Sequence, residues 1–249
     1  MKILENKAAI VTGSSKGIGR AIAIAFAKEG CKVAVNYCHT RESALEVSDE
    51  IEKINPSGSI VIQADVTAED EVKRMVNDTI AAFGKLHILV NNVGIFHRCS
   101  FLEMSLQEWE SIIKNDLTSV FLCSRYAVPH IVQQKWGRII NISSTSGITG
   151  GTSGAHYAAA KGGVISFTKA LSSELAKSGV TVNAIVPSKI GTDMLWGSYD
   201  EEGKKTLLTK IPVGRFGTPE EIASLALFLA SDNAGYITGE SIVASGGYK

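Results

Sequence analysis

Residues 8–20 read Ala8-Ala9-Ile10-Val11-Thr12-Gly13-Ser14-Ser15-Lys16-Gly17-Ile18-Gly19-Arg20. A short apolar run of strand character, Ala8 to Thr12, passes through glycines into a helical pattern, Gly17 to Lys28. Glycine permits a tight turn and lets a pyrophosphate approach the backbone without meeting a Cβ. A helix that opens there aims its unpaired N–H groups and its positive dipole end at the same place. The turn is not a Walker A loop, because no Gly-Lys-Ser/Thr closes it. A glycine-rich turn can also do no more than reverse the chain. Its position after the first strand of an alternating chain is what gives it weight.

Working outward, β-branched runs at Lys32–Tyr37, Ser59–Gln63, Leu86–Asn91, Gly137–Ser143 and Val180–Val186 alternate with helical patterns at Glu42–Ile54, Glu69–Phe83, Leu106–Gln134, His156–Lys177 and Pro219–Ala230. Glu240–Val243 reads as a last strand, and Pro129 is expected to bend or end the long fourth helix. Near-continuous apolar strands alternating with helices predict an α/β fold: one doubly wound, Rossmann-like parallel sheet covered by helices on both faces. With no Pro/Gly/Ser linker and no solenoid repeat, residues 1–249 read as a single dinucleotide-binding and catalytic domain. The polar, mixed stretch 188–210 suits a substrate flap better than a piece of core.

Lys+Arg and Asp+Glu each number 25. This balance gives no excess of positive charge for nucleic acid or an anionic membrane. No uncharged apolar run reaches the roughly 18 residues of a membrane helix, and the N-terminus has no export-type apolar region. Cys31, Cys38, Cys99 and Cys123 form no Cys-x-x-Cys pair, and the five histidines show no ligand spacing, so no metal site is expected. Reduced thiols fit a cytoplasmic protein.

The second strand ends at Asn36-Tyr37, about 20 residues past the glycines, where NAD-preferring sites place a carboxylate. Its absence, with Lys16 in the turn and Arg41 after the strand, favours a 2′-phosphate and hence NADP over NAD. Further on, Tyr157-Ala158-Ala159-Ala160-Lys161 puts a phenol and an ammonium at i and i+4, on one face of a helix. The ammonium is expected to lower a tyrosine pKa that is ordinarily about 10. The phenol can then serve as acid or base at a carbonyl or alcohol. The small residues between and after them allow close packing against a ligand or a neighbouring helix.

Taken together, Thr-Gly-x-x-x-Gly-x-Gly at 12–19, Asn91-Asn92-Val93-Gly94, Ser144 and Tyr157-x-x-x-Lys161 resemble the short-chain dehydrogenase/reductase family, collinearly over essentially the whole chain. Within it, Val35-Asn36-Tyr37, Ile139–Ser144 and Ile211–Gly217 are most similar to bacterial 3-oxoacyl-acyl-carrier-protein reductases. The resemblance implies a catalytic set of Asn115, Ser144, Tyr157 and Lys161. Tyr157 is then the general acid/base and Lys161 tunes it. Ser144 binds the substrate oxygen, and Asn115 holds a water that relays protons to Lys161. Ser143 reads as structural. The implied cofactor contacts are Gly13, Ser15, Lys16, Gly17, Ile18, Gly19, Asn36, Asp65, Val66, Asn92, Gly94, Tyr157, Lys161, Pro187 and Thr192. Asn115 can equally stabilise a helix bend, and Asp65 can cap a turn.

The chain departs from the family pattern at Val93, where alanine is usual, and at Ser188, where glycine is usual. Basic residues near the entrance dock the acidic carrier in such reductases; Lys135 occupies one such position, and Ser178 occupies another that is often arginine. The implied activity is NADP-dependent reduction of a ketone, with a 3-oxoacyl thioester as one substrate and a small ketone, sugar or other free alcohol as the alternative. Phe96, His97, Met194 and Trp196 are candidates for the substrate wall. A homotetramer built through the long helices and the C-terminal segment is also implied. A non-catalytic dinucleotide sensor on the same fold is the reading from another class. A hydrolase lacks its Gly-x-Ser-x-Gly elbow here. A halohydrin-dehalogenase-like lyase would carry arginine in place of Lys161.

Overall fold

A computed structural model describes residues 2–151 and 153–248 of the chain. Lys249, which ends the C-terminal segment expected in a tetramer interface, lies outside the described residues. The elements run β1 (Ala8–Val11), α1 (Gly17–Lys28), β2 (Lys32–Tyr37), α2 (Arg41–Ile54), β3 (Ser59–Gln63), α3 (Glu69–Phe83) and β4 (Ile88–Asn91) in the first half. The second half holds α4 (Leu106–Ile113), α5 (Ser119–Gln133), β5 (Gly137–Ile142), α6 (Ser146–Thr149), α7 (Ala155–Leu175), β6 (Val180–Pro187), α8 (Asp193–Trp196), α9 (Glu201–Thr209), α10 (Pro219–Ala230) and β7 (Ser241–Ala244).

All seven strands pair in parallel, in the order β3-β2-β1-β4-β5-β6-β7. Strand alternation divides the core in two. Ala9 and Val11 of β1, Val33 and Val35 of β2, and Ile88 and Val90 of β4 pack under α1, α2 and α10. Ile10, Ala34 and Leu89 point to the other face, under α3, α5 and the C-terminal part of α7. Both faces are covered, which is why these strands read as unbroken apolar runs rather than as an alternation. The order reverses between β1 and β4. That switch point opens a crevice at the carboxyl ends of the strands, where ligands bind in open sheets of this kind.

The long fourth helix differs from expectation. α5 runs through Pro129 and ends at Gln133. Arg125, whose carbonyl proline cannot engage, and Pro129 are both exposed, so water can take that carbonyl. The break lies upstream instead, in a π-helical turn over Lys114–Thr118 between α4 and α5. The stretch 188–210 is built from α8 and α9, the latter capped by Asp200, which accepts from Gly203 N at 2.8 Å. No helix among the described residues is long and apolar enough to cross a membrane.

Candidate active site

A cleft of about 490 Å³ lies at the carboxyl ends of the strands, along the switch point. Its floor is the glycine turn. Gly13 and Gly17 have φ of 59° and 56°, a left-handed backbone that other residues adopt only with strain. Thr12 and Asn92 clamp the turn: Thr12 Oγ1 accepts from Asn92 N at 2.9 Å, and Asn92 Nδ2 donates to the Thr12 and Gly13 carbonyls at 2.9 and 3.2 Å. Ser15, Lys16, Gly17 and Ile18 border the cleft, whereas Gly19 lies beneath it. A Cβ on Gly19 would sit 2.5 Å from the Gly13 carbonyl oxygen, so this glycine keeps helix and turn in contact. The exposed bend and the N-terminus of α1 form a cradle of the kind a pyrophosphate fills.

Asn36, Asp65, Val66, Gly94, Pro187 and Thr192 also border the cleft. Two of them have other commitments. Asn36 is buried; its Oδ1 accepts from Gly13 N at 2.9 Å and its Nδ2 donates to the Ala64 carbonyl at 3.1 Å. Its amide ties β1, β2 and the end of β3 together and is not free to hold a ribose phosphate. The side chains at that end of the cleft are Lys16, Tyr37, Cys38, His39 and Thr40; Arg41 opens α2 and does not border it. Asp65 caps a turn, accepting from Thr67 N at 2.9 Å.

The second half of the sheet supplies the other expected residues. Ser144 follows β5, and Tyr157 and Lys161 project from the first turns of α7. The small residues around them serve helix packing. A Cβ on Gly147 would meet the Lys161 carbonyl carbon at 2.6 Å, and Gly162 faces the Gly147 carbonyl. Ser143 Oγ donates to the Lys161 carbonyl at 2.8 Å, pinning α7 to the end of β5. Phe96 stands edge-on to the Tyr157 ring at 5.2 Å.

Asp116 is the residue that sequence reasoning missed. Its Oδ2 lies 3.0 Å from Lys161 Nζ, and the two side chains are 0% and 4% exposed. Its other oxygen accepts from Ile95 N at 2.8 Å. Asn115, the expected neighbour of Lys161, borders the cleft but, from the π turn, donates its amide back to the Ser111 carbonyl of α4 at 2.9 Å. Among the described residues, the direct partner of Lys161 in this segment is therefore Asp116. A signal existed: Asp116 falls four residues after Ile112 and four before Val120, both buried, so an acid sits on the apolar face.

These charges set the proton affinities. Burial alone would lower Lys161, but Asp116 and the Tyr157 oxygen more than offset it, and the ammonium is held above the usual lysine range. For Tyr157 burial dominates and raises the phenol. Lys161 pulls it down, Asp116 pushes it up, and a hydrogen bond with Ser144 favours the phenolate. The ammonium does pull the phenol down, as expected, but burial outweighs it, so the net direction is upward. At neutral pH Tyr157 is a phenol, a proton donor.

The expected substrate wall is split. Phe96 and Met194 border the cleft, while His97 turns to His156, Nε2 to Nε2 at 3.4 Å. Trp196 packs on Phe216 at 5.1 Å, outside the lining. Ser188 avoids the left-handed region, the only non-glycine positive φ values being at Asn6, Ser57 and Lys135 among the described residues. It accepts instead from Thr145 Oγ1 at 3.3 Å. Lys135 and Ser178 precede β5 and β6, at the amino ends of the strands. Within one chain they lie at the far edge of the sheet from the cleft, so neither stands at its entrance.

Residues 13–249 match the family model described as enoyl-(acyl carrier protein) reductase. The 3-oxoacyl-acyl-carrier-protein reductase FabG of Staphylococcus aureus (strain Mu50) is 46% identical over 241 residues, covering 97% of this chain and 97% of the relative. The enzyme of that name from Staphylococcus epidermidis (strain RP62A) is 43% identical over 242 residues, 97% of this chain and 98% of the relative. The 3-oxoacyl-acyl-carrier-protein reductase of Synechocystis is 43% identical over 248 residues, 99% of this chain and 98% of the relative.

Proposed function

This chain belongs to the short-chain dehydrogenase/reductase family and is an oxidoreductase using a nicotinamide dinucleotide, and from that premise we propose that it reduces a 3-oxoacyl thioester to the 3-hydroxyacyl product with NADPH. The observation that carries the reading is the grouping of Tyr157, Ser144 and Lys161 in the one cleft that begins at the glycine turn. The dinucleotide supplies the hydride when bound.

The chain's own residues do the rest. Ser144 hydrogen-bonds the substrate carbonyl oxygen, and Tyr157 gives that oxygen its proton as negative charge develops there. Lys161 stabilises the phenolate left behind and reaches the nicotinamide ribose. Asn92 and Gly94 line the middle of the dinucleotide, Gly13 to Ile18 its pyrophosphate, Val66 and Asp65 its adenine. Lys16 supplies the positive charge for the 2′-phosphate that makes NADPH the preferred form. Pro187 and Thr192 border the nicotinamide. The relatives' names carry ketone reduction, and hydroxyls grouped at one end of the cleft suit a carbonyl oxygen. We assign the protein to the cytoplasm and to a homotetramer on the same likeness.

A free small ketone is the second reading, favoured by Lys135 and Ser178 standing away from the cleft within the chain. Initial rates of NADPH oxidation with an acetoacetyl thioester, beside NADH and a small activated ketone, decide between them. Fast thioester turnover with NADPH is expected. Turnover of the ketone alone keeps the reductase and removes the acyl assignment. No turnover of any carbonyl removes both and leaves a dinucleotide sensor.

A further inference from the structure

The cleft contains two lysines beyond the glycine turn, and they are in opposite situations. Lys161 is neutralised by Asp116. Lys189 is half-buried, borders the cleft, and has no carboxylate within 4 Å among the described residues. Asp193, which borders the same cleft, makes no such pair with it, and the Asp200 carboxylate is engaged in capping α9.

Lys189 is nevertheless held in place. Its Nζ lies 3.4 Å from the Tyr199 hydroxyl, 5.7 Å from that ring's centre and 5.0 Å from the Tyr248 ring. Its carbonyl accepts from Gly217 N at 3.0 Å, so the backbone beneath it is fixed. A second cation shares the platform: the Arg98 guanidinium stands 4.5 Å from the Tyr199 ring and also lacks a carboxylate within 4 Å among the described residues. The neighbouring Ser188 is bonded to Thr145, the residue after Ser144. This places Lys189 on the side of the cleft where the carbonyl is handled. Two cations thus share one aromatic ring with no carboxylate within 4 Å of either among the described residues, so an anion arriving there meets positive charge that is not already neutralised. Aromatic faces orient an ammonium without neutralising it.

We propose that Lys189, backed by Arg98 across the Tyr199 ring, is an anion-binding subsite, and that the substrate is a ketone carrying a negatively charged group beyond its carbonyl. The inference rests on the ketoreductase reading for its substrate class. A carboxylate of a free 3-oxo acid and the phosphate of a 4′-phosphopantetheine arm share the required chemistry.

The test uses the full chain and three acetoacetyl compounds: acetoacetate, the acetoacetyl thioester of 4′-phosphopantetheine, and the uncharged N-acetylcysteamine thioester. Each is assayed with NADPH, and each is titrated calorimetrically with oxidised dinucleotide present, where no reduction occurs. The expected result is a preference for at least one charged compound over the neutral one. That preference falls about tenfold (~1.4 kcal/mol) in Lys189→Met and Lys189→Gln and is retained in Lys189→Arg. A response confined to acetoacetate identifies a free acid; one confined to the phosphorylated thioester identifies the carrier arm. An equal ratio of charged to neutral affinity in wild type and in whichever of the two neutral variants folds overturns the subsite. If wild type reduces none of the three, the ketoreductase reading fails, and the calorimetric ratios still decide the subsite.

Discussion

Asp116 Oδ2 and Lys161 Nζ lie 3.0 Å apart with both side chains closed off from solvent. Removing one partner of a buried pair leaves an uncompensated charge, a loss of about 3–5 kcal/mol. Asp116→Ala is therefore expected to lower stability by about 3 kcal/mol in denaturant titration. Asp116→Asn, which keeps the shape of the side chain and an oxygen to accept from Ile95 N, is expected to lose less than Asp116→Ala. Equal stability of Asp116→Ala and wild type would mean that the pair contributes nothing.

The same carboxylate acts on the proton of Tyr157. Burial raises the phenol first and Asp116 adds to that, against Lys161 and Ser144. In the protein without dinucleotide, the phenolate absorbance that is lost on Tyr157→Phe is expected only above the ordinary tyrosine value of about 10. Asp116→Asn removes a contribution that raises the phenol, so its limb moves to lower pH. Alcohol oxidation, which needs the phenolate, accordingly gains with rising pH, and ketone reduction loses over the same range. A limb that stays put in Asp116→Asn contradicts the assignment.

Tyr157→Phe is expected to cut turnover by about 10²–10⁴, the range of general acid catalysis. Dinucleotide affinity, measured by fluorescence titration, should change far less. Ser144→Ala should fall in the same direction by a smaller factor. A Tyr157→Phe protein that still turns over at the wild-type rate would falsify the acid assignment.

Gly19→Ala puts a Cβ 2.5 Å from the Gly13 carbonyl oxygen and 2.6 Å from Asn92 Nδ2. Neither can retreat without opening the turn, since Asn92 is bonded to it twice. A loss of about 1–3 kcal/mol is expected from overpacking, with weaker dinucleotide binding. Normal dinucleotide affinity in a folded Gly19→Ala chain would show that the turn tolerates movement.

His87 is buried at the amino end of β4, where Nδ1 accepts from Ala8 N at 3.1 Å. Burial, followed by the charges of Lys7 and Lys85, lowers it to about 4. A depressed histidine contributes stability that is present above its unfolded value, about 6.5. That stability is lost as pH falls from there to about 4, and amounts to about 3 kcal/mol. The Tm of wild type should drop over this window more steeply than that of His87→Gln. Parallel pH profiles would assign the acid loss to other groups.

Local spacing was enough for much of this. Alternating apolar runs gave the parallel sheet, because strands covered on both faces must be apolar throughout. Tyr157 and Lys161 were legible as partners, because i and i+4 share a helix face whatever surrounds them. Pro129 and Trp196 were misleading because their neighbours are distant in sequence: solvent admits the proline within α5, and Phe216 draws the indole away from the cleft.

What the amino-acid order determined by itself was therefore the strands, most of the flanking helices and the pairings that a turn or a helix enforces locally. Only the tertiary structure decided that Asp116 and not Asn115 meets Lys161: spacing put Asp116 on the buried face, but α7, which carries Lys161, is brought against that face only by the fold. It likewise committed the Asn36 amide to the glycine turn and carried Lys135 to the far edge of the sheet. Such outcomes depend on which strand lies beside which, and on what each burial leaves within hydrogen-bonding reach.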